Sequence, residues 1–151
     1  MNKLKIKVFM EIAETIANLS PDPKTKVGCI AVHPDTIDAV LPSYNGFIQG
    51  AHDCSLPKEA PHKYEYMQHA ETNLIYQAAK KGRSIDGYWL FCTLSPCINC
   101  CRALWQSGIK TIIFKKEYKD FNKQIQMLDI GLEVHPLFDY YLLDLSIKEL
   151  K

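Results

Sequence analysis

The chain carries His69-Ala70-Glu71 and, 25 residues after the glutamate, Pro96-Cys97-Ile98-Asn99-Cys100. This pair of segments restricts the fold more than any other feature. One imidazole and two thiolates are ligands of the kind zinc prefers. For a single ion to take all three, the chain after His69 and the chain after Pro96 must start at the same place. Both read as helices. After His69, apolar residues recur at 70, 74, 75, 78 and 79, with Lys80 and Lys81 in the closing turn and Gly82 beyond it. The run from Cys97 to Ser107 closes at Gly108 and offers Ala103 and Leu104 to the core. The fold therefore has to bring two helix N-termini together.

The same residues define a chemistry. A structural zinc site closes its tetrahedron with four protein ligands, whereas a catalytic one uses three and leaves a place for water. His69, Cys97 and Cys100 supply three, and Glu71, one residue removed from His69, is placed to handle the protons of that water. An ordered His-x-Glu and Pro-Cys-x-x-Cys is the pattern of hydrolytic removal of an exocyclic amine from a nucleobase. A helix N-terminus carries about half a positive charge and stabilises thiolates within its first turn. Two thiolates and a neutral imidazole balance a zinc dication, and such an ion can lower the pKa of its water to about 7. Each fragment alone says less, since a lone Cys-x-x-Cys is often a redox pair or half of a structural zinc knuckle. Cys101 points about 100° around the helix from Cys100 and makes a poor fourth ligand. Cys29, Cys54 and Cys92 stay open as candidates.

With these residues in place, the chain resembles the deoxycytidylate (dCMP) deaminases of the zinc-dependent cytidine deaminase superfamily, over about residues 20 to 118. Four segments carry the likeness: Asp22-Pro23-Lys24-Thr25-Lys26-Val27-Gly28-Cys29-Ile30-Ala31-Val32, Tyr44-Asn45-Gly46-Phe47-Ile48-Gln49-Gly50, Lys63-Tyr64-Glu65-Tyr66-Met67-Gln68-His69-Ala70-Glu71, and Leu94-Ser95-Pro96-Cys97-Ile98-Asn99-Cys100. The resemblance implies a three-layer α/β/α domain with a mixed central sheet of about five strands. It implies a hydrolase acting on cyclic amidines, which converts dCMP to dUMP and ammonia and supplies dUMP for thymidylate synthesis. It makes His69, Cys97 and Cys100 the ligands of one catalytic Zn2+ and Glu71 the proton shuttle for attack at C4 of cytosine. Asn45 would contact the deoxyribose and Lys26 the 5′-phosphate, while Tyr66, Ala70, Thr93 and Ser95 would line the base pocket. Tyr44, Gly46, Phe47 and Gly50 fall in the loop that binds dCTP or dTTP effectors, with Mg2+, in regulated members. A homo-oligomer, often a hexamer, is implied as well. The chain departs from the family pattern at Ser43 (Gly), Ile48 (Pro), Glu65 (Pro) and Cys101 (Ala).

Read without the resemblance, the substrate-side residues are less specific. Lys24 and Lys26 stand in a polar segment before an apolar run and could serve an anion, but most lysines are simply solvated. Asn45-Gly46 is a common tight-turn pair. Tyr64 and Tyr66 could stack on a base or edge the core. Charge is more decisive: 18 basic residues against 17 acidic ones leave a net +1, and the only arginines are Arg83 and Arg102. A polynucleotide-binding enzyme needs a basic face or groove. Lys115, Lys116, Lys119 and Lys123 are diluted by Glu117 and Asp120 and read as a solvated loop. A free nucleotide is the better substrate class, with no nucleic acid and no membrane as partner. The competing readings are a deaminase of C5-modified dCMP or of another cytosine or adenine compound, and a non-catalytic zinc-stabilised module.

At 151 residues with 47% hydrophobic content, residues 1–151 read as one domain with a sizeable core. No run approaches the ~20 apolar residues needed to span a bilayer, and the basic N-terminus lacks the apolar stretch of a signal peptide. Six cysteines, several inside apolar runs, fit a reducing cytoplasm, the host's for a viral source. Val8, Phe9, Ile12, Ala13, Ile16 and Leu19 predict a first amphipathic helix ended by Ser20-Pro21. Strands are expected at 27–32, about 36–44, 88–93, 110–115 and 130–137. The first two should form an antiparallel hairpin, and the strand–helix–strand order after 88 calls for parallel pairing. Residues 46–63 read as a long loop covering the pocket, and 138–150 as an amphipathic helix.

Overall fold

The computed structural model describes residues 1–36, 40–119 and 133–144 of the chain. Helix α1, Lys3–Ala17, opens at Asn2, whose side chain accepts a hydrogen bond from the Lys5 N–H at 2.9 Å. Its buried face is Ile6, Phe9, Met10, Ala13 and Ala17. That face is rotated from the expected stripe, because Val8, Ile12 and Leu19 are exposed. The cause lies in the first strand, β1 (Gly28–Val32). A Cβ at Gly28 would come within 2.0 Å of the Ala13 carbonyl oxygen and 2.6 Å of the Ala17 nitrogen. Small residues at 13 and 17 and glycine at 28 let helix and strand meet backbone to backbone, and that contact selects the buried face.

Strand β1 pairs antiparallel with β2 (Val40–Tyr44) and, on its other side, with β5 (Trp89–Leu94). β5 runs parallel to β6 (Thr111–Lys116), with α3 (Ile98–Gln106) crossing between them. The opening hairpin and the parallel βαβ unit both match expectation. β8 (Tyr140–Asp144) and β7 (Glu133–Leu137) complete a six-stranded sheet in the order β2-β1-β5-β6-β8-β7. A second, two-stranded ladder joins β3 (Gly46–Phe47) to β4 (Met67–Gln68), within and just after the expected long loop. Between them, His62–Glu65 form a short 3-10 turn.

The mixed sheet is covered on both faces, giving the expected three-layer α/β architecture. Ile30, Val32, Phe91 and Ile113 pack on α1. Cys29, Ala31, Leu90, Cys92, Ile112 and Phe114 alternate with them and pack on α3 and on α2, Ala70–Lys80. All five β1 residues are buried for this reason.

Two expectations are corrected. The sheet has six strands rather than about five, and the extra one is β8, which occupies 140–144 where a helix was expected. β7 and β8 are joined by Phe138-Asp139, with Phe138 at φ 46°, and β8 is paired on both sides, to β6 and to β7. A short run of tyrosines and leucines fits either period, and the two available ladders decide it. The remainder of that helix, 145–150, lies outside the described residues, as do 37–39 and 130–132 of the expected strands. Lys115 and Lys116 belong to β6 rather than to a loop, and Lys115 pairs with Glu14 of α1.

Candidate metal centre and active site

The two motif helices begin where the sequence places them. His69 is the N-cap residue of α2, held extended at φ −69° and ψ 152°, and its carbonyl accepts the Asn73 N–H at 3.0 Å. Cys97 is the N-cap residue of α3 in a similar conformation, and its carbonyl accepts the Cys101 N–H at 2.9 Å. Strand β4 delivers the chain to His69, and β5, followed by Ser95-Pro96, delivers it to Cys97. The two N-termini converge. His69 Nδ1 lies 3.5 Å from Cys97 Sγ and 3.4 Å from Cys100 Sγ. The three ligand atoms all fall within 4.8 Å of one another, and no fourth His, Cys, Asp or Glu joins them among the described residues. Cys29, Cys54, Cys92 and Cys101 are thus not part of the cluster.

The donor set suits zinc. Hydrogen bonding from Cys100 holds the Cys97 thiol down at about 4, against the opposing effect of burial and with further help from His69. The same shared hydrogen bond, together with burial, pushes Cys100 up. Contact with Cys97 raises His69 against the effect of burial, and Glu71 adds to the rise. A divalent cation would displace the remaining protons and take two sulfurs and one nitrogen. Three ligands leave a coordination place for solvent, as in catalytic zinc sites.

Glu71 sits in the first turn of α2 and is only 4% exposed. Burial raises its carboxyl, opposed by a backbone hydrogen bond and by His69. It lines a cavity of about 150 Å³ together with His69 and Cys97, while Cys100 lies buried behind them.

Of the other residues singled out in the sequence, Asn45, Ala70 and Ser95 also line this cavity. Asn45 Oδ1 accepts the Val27 N–H at 2.8 Å and its Nδ2 donates to the Thr25 carbonyl at 2.9 Å. Ser95 Oγ accepts the Tyr118 N–H at 2.6 Å, which fixes Tyr118 on the cavity wall. Lys26, Tyr66 and Thr93 are not among the lining residues. Lys26 Nζ donates to the Ser20 carbonyl at 2.6 Å, Thr93 Oγ1 accepts the Gly28 N–H at 3.1 Å, and Tyr66 is 42% exposed.

Tyr44, Gly46, Phe47 and Gly50 also stand off the cavity. The Tyr44 carbonyl accepts from Asn73 Nδ2, Gly46 and Phe47 pair with β4, and Gly50, at φ 95°, borders open space. Tyr64, one of the two tyrosines that could stack on a base, lines the cavity, and so do Asp22, Thr25, Lys63, Gln68 and Tyr118, to which the sequence assigns no site role. The Asp22–Lys63 contact spans 41 positions, a separation at which no local pattern can signal it.

Residues 3–116 match the family model described as the cytidine and deoxycytidylate deaminase zinc-binding region. Human deoxycytidylate deaminase is 34% identical over 116 residues, which cover 72% of this chain and 63% of that protein. ComE operon protein 2 of Bacillus subtilis is 33% identical over 114 residues, covering 74% and 59%. The chain thus spans less than two thirds of the length of each. The crystal structure of the dCMP deaminase from cyanophage S-TIM5, in complex with dCMP and dUMP, superposes with a TM-score of 0.69 at 32% identity. That match covers 85% of this chain and 94% of the cyanophage chain.

Proposed function

This chain belongs to the cytidine and deoxycytidylate deaminase zinc-binding family, and on that premise we propose that it hydrolyses dCMP to dUMP and ammonia, supplying dUMP for thymidylate synthesis. One observation carries the proposal above all: a three-ligand cluster at two converging helix N-termini, with a buried glutamate beside it, opens on a cavity. A non-catalytic module would need neither the open coordination place nor Glu71. The similarity to human deoxycytidylate deaminase and to the solved cyanophage dCMP deaminase, whose length is matched almost throughout, supports dCMP over other cytosine compounds.

His69, Cys97 and Cys100 would hold the zinc, which when bound supplies an acidified water as nucleophile. Glu71 would take one proton from the attacking water and pass it to N3, where the product keeps it, and would then carry the proton of the new C4 hydroxyl to the amine, which departs as ammonia. Its place two residues from His69 puts it within the same helical turn as the ligand. Ala70 and Ser95 would border the base, with Val27, Met67 and Leu94 supplying apolar wall that limits water. Asn45 would orient the deoxyribose while its bonds to Thr25 and Val27 hold it rigid. Lys26, Tyr66 and Thr93 would act from outside the lining, Thr93 by tying β5 to β1.

Two parts of the proposal rest on the resemblance: a homo-oligomer of hexameric type, and dCTP or dTTP effectors with Mg2+ at the Tyr44–Gly50 loop. A cytoplasmic location rests instead on the six free cysteines. No helix among the described residues is long and apolar enough to cross a membrane.

Ammonia release from dCMP by the zinc-loaded protein tests the function, with deoxycytidine, dCTP and 5-methyl-dCMP run alongside. Turnover of dCMP above the others is the expected result. Zinc binding with no ammonia from dCMP would remove the proposal.

A further inference from the structure

Among the described residues, Lys63 is the one lysine or arginine lining the cavity. It is 6% exposed, and its Nζ donates to Asp22 Oδ2 at 2.7 Å. Asp22, itself 2% exposed, accepts the Lys24 and Thr25 N–H groups on its other oxygen at 2.9 and 3.0 Å. The Thr25 carbonyl accepts from Asn45, which in turn accepts from Val27. Lys63, Asp22, Thr25, Asn45 and Val27 thus form one hydrogen-bonded strap along the cavity wall, and all five line it.

A buried ion pair is a poor way to stabilise a fold, since apolar residues of similar volume often do as well or better. An ammonium has three donors, and among the described residues Asp22 is the one hydrogen-bond acceptor of Lys63. Its Nζ also lies 5.5 Å from the centroid of the Tyr64 ring, another lining residue, which leaves donor capacity at the cavity wall. The fixed charges of the remaining lining, Asp22 and Glu71, are negative. Among the described residues, Lys63 is the lining cation that an anionic substrate would meet away from the metal centre. Lys26 is differently placed: its Nζ is bonded to the Ser20 carbonyl and it does not line the cavity.

Resting on the dCMP reading above, we propose that Lys63 recognises the substrate's 5′-phosphate and sets the preference for nucleotide over nucleoside, with Asp22 as the positioning residue that holds its ammonium at the wall. The donor capacity left on Lys63 would take phosphate oxygens while Asp22 keeps its hydrogen bond.

Titration of the zinc-loaded protein with dUMP and with deoxyuridine tests this through the ratio of the two affinities, alongside dCMP turnover. Removing Lys63 alone would strand a buried carboxylate, so the informative variant is the double replacement Asp22→Asn with Lys63→Gln, which keeps a neutral hydrogen bond and the Asn cap on Lys24 and Thr25. It should retain zinc, bind deoxyuridine within about 3-fold of wild type and lose about 10- to 100-fold of its preference for dUMP, the range of a hydrogen bond to a charged group. Lys63→Arg should keep most of that preference. The proposal is overturned if the double variant keeps the ratio, if it loses both ligands equally, or if Lys26→Ala produces the drop instead. A wild-type protein that neither turns over dCMP nor binds dUMP would defeat the dCMP reading itself. One that turns over dCMP without preferring dUMP to deoxyuridine would defeat only the role given to Lys63.

Discussion

Single side chains in this molecule divide into those whose role is local and those whose role depends on distant partners. The three candidate metal ligands, His69, Cys97 and Cys100, belong to the first group with Glu71. Their spacing reflects helix starts, so the trio could be read from order and caps alone, and the structure brings it together within 4.8 Å. Lys63 and Asp22 belong to the second group: each looks like an ordinary loop residue until the fold joins them. Ser43 shows the same limit from the opposite side. It is 1% exposed, faces Cys29 across the β1–β2 pair, and its hydroxyl has no hydrogen-bond partner among the described residues. Because an unpaired buried hydroxyl costs about 1–3 kcal/mol, Ser43→Ala should leave stability unchanged or raise it by about 1 kcal/mol in urea denaturation. A loss of more than that would mean the hydroxyl has a partner after all.

At the level of elements, strongly patterned segments were legible and ambiguous ones were decided by contact. Helices α2 and α3 carry an apolar period and a closing glycine, and each forms within a residue or two of expectation. α1 is equally plain as a helix, but apolar residues surround it, so its period does not say which side is buried. The close approach at Gly28 makes that choice. Gly28→Ala would force Cβ into the backbone of Ala13 and Ala17 and should cost about 2–3 kcal/mol, an overpacking penalty. Equilibrium unfolding measures it, and a cost below about 0.5 kcal/mol would show that α1 does not rest on β1 as described. β8 was misread for a related reason. Five residues rich in tyrosine and leucine carry too little periodicity to oppose a helix assignment, and pairing with β6 and β7 is a property of the assembled sheet.

The whole molecule is organised so that a sheet buried on both faces fixes two helix N-termini in register with each other. β4 and β5 lead the chain directly into the two motifs, and the strap from Lys63 to Val27 closes the wall beside them. The architecture was legible in outline because alternating strands and helices allow few topologies. The cavity was not, because its lining is drawn from the segment before β1, the β2–β3 link, the turn before β4 and β4 itself, the start of α2, the β5–α3 junction and the residues after β6. The most direct test of this arrangement is Glu71→Gln, with zinc content and dCMP turnover measured on the same preparation. One zinc per chain retained, with turnover down by about 10²- to 10⁴-fold, is the result expected when a positioned acid–base group is lost. Full zinc with near-normal turnover would contradict the role given to Glu71 and the hydrolytic site built around it.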